Sequence, residues 1–244
     1  MVLNESTIHF YLYGSMLFCG IAVWMARQNF KSEPQRFNNP GAQKKIIPAV
    51  FFAIMAISIA ARFAGRSLES PWLERLDTIF AGIIMLNVVI AAAAVRDEPS
   101  SVGISLRGIE TVIIFLVPPL STIFFAGHMV NLKLLLGGII PSIAITGFAI
   151  ELFFRGYMQT RLESFFGPAK GLLLTAAAYS VFNVPVMWGV LDAPAMIFYM
   201  ILTFIVWGCG AGLIYRFAGN IFGLAVFHIF WDTAVYVFAG LTID

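Results

Sequence analysis

Long apolar runs separated by short polar breaks organise this chain. A helix that crosses a bilayer needs about 20 mostly apolar residues. Eight stretches meet that demand: Ile8–Ala26, Ile46–Phe63, Leu76–Val95, Ile109–Phe125, Leu132–Phe153, Gly171–Leu191, Ala195–Phe217 and Ile221–Leu241. The pattern predicts an all-α polytopic membrane helix bundle of about eight transmembrane helices. Residues 1–244 read as a single integral membrane domain, without a repeat or a low-complexity tract. The breaks are short except at Gln28–Lys45, where "QNFKSEPQRFNNPGAQKK" has the Pro and Asn signals of a polar surface loop.

Breakers fall inside several of these runs. Pro118 and Pro119 lie in the fourth, Pro141 in the fifth and Pro185 in the sixth. Each removes a backbone donor or kinks its helix. In lipid the freed groups need internal partners, so these helices are expected to face protein or a wet cavity.

Composition changes the picture only by sharpening it. Apolar residues make up 60% of the chain and charged residues 11%, against about 25% charged in soluble domains. Mean hydropathy is +0.88. A formal net charge of +2 gives no sign of a nucleic-acid partner; the lipid bilayer is the expected environment. Cys19 and Cys209 both sit in apolar runs and read as buried, inert thiols. The opening "MVLNESTIHF" has an acid and no basic segment, so no cleaved signal is expected. Neither end carries a lipidation motif.

Charge sets the expected orientation. Arg27, Lys31, Arg36, Lys44, Lys45, Arg96, Arg107, Arg155, Arg161, Lys170 and Arg216 fall on one side of the eight-span topology. Only Arg62, Arg66, Arg75 and Lys133 fall on the other. Lys and Arg concentrate on the cytoplasmic side. Both termini are therefore expected on the non-cytoplasmic side of a cell membrane.

Ionisable groups inside spans are costly and mark candidate functional sites. Glu151 and Arg155 sit near the cytoplasmic end of the fifth span, Asn183 in the sixth, and His228 and Asp232 in the eighth. Glu151 and Arg155 are i and i+4, and so are His228 and Asp232, so each pair shares a helix face. A carboxylate beside an imidazole fixes its tautomer and leaves the other nitrogen free to bind. The bland alternatives are an interfacial clasp for Glu151–Arg155 and a strut between helices for His228–Asp232. Asn183 reads first as a helix–helix hydrogen bond, and Tyr179 as packing.

Together these residues resemble the motifs of the CAAX-processing and bacteriocin-protection (CPBP, or Abi) family of intramembrane proteases. "ELFFRGYMQTRLE" resembles the family's Glu-Glu-x-x-x-Arg, with Glu151 as the second Glu, Arg155 as the Arg and Ile150 in place of the first Glu. "YSVFNVP" fits the second motif, Phe-x-x-x-His, with Tyr179 for Phe and Asn183 for His. His228-x-x-x-Asp232 matches the third, His-x-x-x-Asn/Asp. The likeness covers roughly Ile109 to the C-terminus. It implies a prokaryotic plasma-membrane endopeptidase that cuts a membrane-associated peptide or protein, with Glu151, Arg155, Asn183, His228 and Asp232 as its site and no cofactor.

In the family, the residues replaced here by Ile150 and Asn183 are those implied to activate the hydrolytic water. Ile150 has no proton to exchange, and the Asn183 amide can orient or donate but not act as a base. Two arrangements remain open. In one, Glu151 released from Arg155 is the base. In the other, His228 set by Asp232 is the base while Asn183 donates to the oxyanion. Glu151, His228 and Asp232 are also ligand types that zinc accepts, yet no second histidine accompanies them in any motif, and no metal is expected. The alternative function is a catalytically silent homologue that binds a partner membrane protein as a scaffold, assembly or immunity component. A small-molecule carrier is a third class, without an inverted repeat to support it. Gly208-x-x-x-Gly212 offers a close-approach surface, read here as internal packing.

Overall fold

The computed structural model describes residue 20 and residues 37–67, 73–105, 140–188 and 191–238. Apart from an isolated bridge between Trp188 and Leu191, all regular backbone among the described residues is helical. Apart from residue 20, the spans expected at Ile8–Ala26 and Ile109–Phe125, with Cys19, Pro118 and Pro119, lie outside the described residues.

Helix α1 runs Pro40–Ser67 and α2 runs Leu73–Ala94, followed by a 3₁₀ turn at Pro99–Val102. The α1 helix starts inside the stretch expected to be a loop. Backbone amides of Ala42 and Gln43 bond the Asn39 carbonyl, so the first turn is already closed before Lys44. Helix α3 (Ile140–Glu151) continues without a break through a π-helical segment, Leu152–Gln159, into α4 (Thr160–Phe166). Pro141 lies within α3, as expected. Helix α5 (Pro168–Met187) opens on Pro168 and holds Pro185 within its last turn. Helix α6 (Ala193–Leu202) is capped by Asp192, whose carboxylate accepts from the Ala195 amide at 2.9 Å. It too passes through a π segment, Thr203–Gly210, into α7 (Ala211–Ala218). Gly219, at φ 68, ends α7 with its amide on the Tyr215 carbonyl. Helix α8 spans Phe222–Phe238.

Pro40–Ala60 and Ala193–Ala218 are each long and apolar enough to cross a membrane. Their outer faces fit that setting: Phe52 on α1 and Ile197, Phe198 and Ile201 on α6 are exposed. Helix α3 lies between α2 and α8, and α5 packs along the second π segment. Ile54, Ile84, Phe153, Phe154, Ile214 and Leu224 fill the core between them.

Three glycines set how closely these helices meet. A Cβ on Gly156 would collide with the Val102 carbonyl oxygen, so the first π segment touches the 3₁₀ turn backbone to backbone. A Cβ on Gly208 would lie 2.6 Å from the Ala176 Cβ, and one on Gly212 would strike the Leu172 side chain. The small-residue face at Gly208 and Gly212 is thus spent on internal packing against α5.

Candidate active site

Glu151 ends α3, and Arg155 is the fourth residue of the π segment that follows. Both are fully buried. Arg155 Nε lies 3.4 Å from Glu151 Oε2, so the i, i+4 pair read from the sequence is present. It is not a private pair. Arg155 Nη2 donates to the Trp207 carbonyl, and its guanidinium carbon sits 4.4 Å from the Tyr179 ring centre. Tyr179 therefore does more than pack: it offers its ring face to a buried cation.

His228 reaches the same carboxylate from α8. Its Nδ1 lies 3.0 Å from Glu151 Oε1. An ionised carboxylate only accepts, so this bond requires the proton on Nδ1. On the other side, His228 Nε2 is 3.5 Å from Asp232 Oδ2. That is too long for a good hydrogen bond. The expectation from spacing was that Asp232 would fix the tautomer. Instead Glu151 fixes it, across 77 residues of chain, and Nε2 is left looking toward Asp232. The Asp232 side chain is 39% exposed, against 7% for His228. The cluster thus opens outward on its Asp232 side.

Asn183 is placed differently from the first reading made for it, a hydrogen bond between helices. Its Nδ2 donates at 2.8 Å to the Tyr179 carbonyl one turn earlier in its own helix, rather than to another helix. Ile150 packs against the apolar core. Among the described residues, no group of three or more His, Cys, Asp and Glu side chains converges in a way that could hold a metal ion. Arg155 Nε and Nη1 and Glu151 Oε2 have no hydrogen-bond partner. Buried polar atoms of that kind call for an explanation, and a bound substrate group or water is one.

Sequence reasoning missed two parts of this region. The first is Trp207, on the second π segment. Its ring stacks on His228 at 5.2 Å between centres, with 29° between planes. The second is a buried polar network around the start of α4. Arg161, counted above among the charges on one side of the topology, is fully buried and pairs with Asp97 at 2.5 Å. Gln43 donates to the same carboxylate oxygen at 2.7 Å and accepts from the Tyr157 hydroxyl at 2.9 Å. Arg161 Nη1 also donates to the Ser101 carbonyl at 2.9 Å. This network ties α1, the end of α2 and the 3₁₀ turn to the helix that carries Glu151 and Arg155. Burial pushes the Tyr157 hydroxyl up to about 12, an effect that the nearby Arg161 charge only partly offsets.

The fold and site define a helical integral membrane protein with a buried Glu–Arg–His constellation. The family model described as type II CAAX prenyl endopeptidase Rce1-like matches residues 131–234. That stretch holds all five candidate side chains, and over it the chain is similar to that family, as the motifs suggested. No curated protein and no solved structure matches the chain.

Proposed function

We propose that this chain is a CPBP-type intramembrane endopeptidase with altered motifs, acting on a membrane-associated peptide or protein near the cytoplasmic face. On this reading the whole chain is one eight-span domain with both termini outside a prokaryotic plasma membrane. The observation that carries the proposal is the Glu151–His228 hydrogen bond at 3.0 Å in a buried site. It supplies the base that Ile150 and Asn183 do not.

The chemistry follows from the atoms. Glu151 holds the proton of His228 on Nδ1, so the lone pair is on Nε2. Nε2 takes a proton from a water, whose oxygen bonds to the scissile carbonyl carbon. Asp232, 3.5 Å from Nε2 and partly exposed, accepts a hydrogen bond from the O–H that the water keeps and marks the side from which water enters. The developing oxyanion is met by the Arg155 charge, whose Nη1 has no protein partner. His228 then returns its proton to the leaving amine nitrogen as the carbon–nitrogen bond breaks. Of the two arrangements left open by the sequence, this favours His228 as base. The Glu151–Arg155 contact argues against a released Glu151.

Purified protein in proteoliposomes, incubated with a library of membrane-anchored peptides, tests this directly. The expected result is a set of shorter products seen with wild type and lost with His228→Gln. Peptides left intact by both would point to the silent, partner-binding homologue.

A further inference from the structure

Trp207 contributes two different groups to this site from one position. Its backbone carbonyl accepts from Arg155, and its indole ring lies on the face of the His228 imidazole. The π segment explains the first contact. At its C-terminal end the Ala211 amide bonds the Val206 and Gly208 carbonyls. In a regular α-helix that amide would bond the Trp207 carbonyl; here it bonds its neighbours, and the Trp207 carbonyl accepts from Arg155. The second contact is held from behind: Phe227 and Trp231 pack on the Trp207 ring at 5.7 and 5.6 Å.

We infer that Trp207 is a positioning residue, which holds Arg155 through its carbonyl and the His228 ring through its indole, so that Glu151 is shared between them. Without the carbonyl, the guanidinium fork is free to close on both Glu151 oxygens, the geometry that arginine prefers with a carboxylate. Oε1 would then be lost to His228. Without the indole face, the imidazole is free to turn about its Cβ–Cγ bond, and Nδ1 no longer points to Oε1 in every molecule. Both contacts keep one tautomer, with the proton on Nδ1 and the lone pair on Nε2. This rests on the hydrolytic reading of the site, in which that tautomer is the competent base.

The test is nuclear magnetic resonance of the full chain in bicelles with ¹⁵N,¹³C-labelled histidine. The His228 signals are assigned by their loss in His228→Gln. In wild type, the His228 ring protons are expected upfield of those of His9 and His128, because they lie over the indole face. The nitrogen shifts are expected to show one tautomer, protonated on Nδ1. Trp207→Leu should abolish the upfield displacement and give mixed tautomers; Trp207→Phe, which keeps a ring, should restore a single one. Phe182→Leu, a buried aromatic change packed on Phe154 instead, should leave both signatures in place. Wild-type His228 protons at ordinary positions would overturn the inference without any variant. So would an unaltered tautomer in Trp207→Leu, or the same loss in Phe182→Leu. None of these readouts needs turnover. The expected signatures in a chain that cleaves nothing would therefore remove the hydrolytic reading and leave the Trp207 contacts standing.

Discussion

Glu151 accepts a hydrogen bond from His228 at 3.0 Å while its other oxygen lies 3.4 Å from Arg155. One carboxylate thus joins the last turn of α3 to the middle of α8 and balances a buried guanidinium. Catalytic and structural demands fall on the same side chain, and the expected outcomes below separate them.

Arg155 carries a structural demand as well as the oxyanion role proposed for it. Removing one partner of a buried ion pair leaves the other uncompensated, at a cost of about 3–5 kcal/mol. Arg155→Ala should therefore give less folded protein and a clearly lower melting temperature in detergent. An unchanged melting temperature would remove the clasp role. Arg155→Lys should recover little, because an ammonium lacks the planar fork that serves Glu151 and the Trp207 carbonyl together.

On the proposed reading His228 is the catalytic half. His228→Gln should lower peptide cleavage by about 10²–10⁴-fold, the usual effect of losing a general base. Asp232→Asn should lower it less, since Asp232 is partly exposed and its contact with the imidazole is long. Equal losses in the two variants, measured as initial rates on one substrate, would mean that the pair acts as a unit.

The site was legible only along each helix. Glu151 with Arg155, and His228 with Asp232, show in the sequence because helical spacing puts i and i+4 on one face. The bond between Glu151 and His228 does not, because it depends on how α3 and α8 pack. Trp207 was hidden for a related reason. Its contact to Arg155 is through a carbonyl that every residue has, and it is exposed by a π segment that hydrophobic patterning does not distinguish from an α-helix. The fold was legible as apolar helices. Its boundaries were less so: Pro40–Lys45 carries loop residues yet closes the first turn of α1.

The burial of Arg161 was not legible in the sequence, because Gln43 of α1 and Asp97, just after α2, reach it only in the fold. Asp97→Ala should cost about 3–5 kcal/mol of stability by stranding that arginine. Thermal melts against wild type check this; a difference near zero would place Arg161 in water after all.

Tyr157, beyond the Leu132–Phe153 span, gives a pH dependence of known sign. Its hydroxyl is raised to about 12 in the fold, against about 10 in an unfolded chain. Between those values the unfolded chain has lost the proton and the folded chain keeps it, so stability falls as pH rises through that window. Below pH 10 the contribution is complete. Melting temperatures of wild type should fall more steeply from pH 10 to 12 than those of Tyr157→Phe. Parallel curves would contradict a buried neutral tyrosine.

Gly156 tests the close approach beside the site. A Cβ there has no room against the Val102 carbonyl. Gly156→Ala should destabilise by about 1–3 kcal/mol, as overpacking does. A melt indistinguishable from wild type would show that the 3₁₀ turn gives way freely.

The most direct measurement is purification of tagged protein from native membranes, wild type beside Glu151→Ala, with mass spectrometry of everything that co-purifies. The expected result is full-length membrane species held by the variant whose shortened forms appear only with wild type. The same intact partner, retained in equal amounts by both, would contradict an endopeptidase and leave a binding protein built on a protease fold.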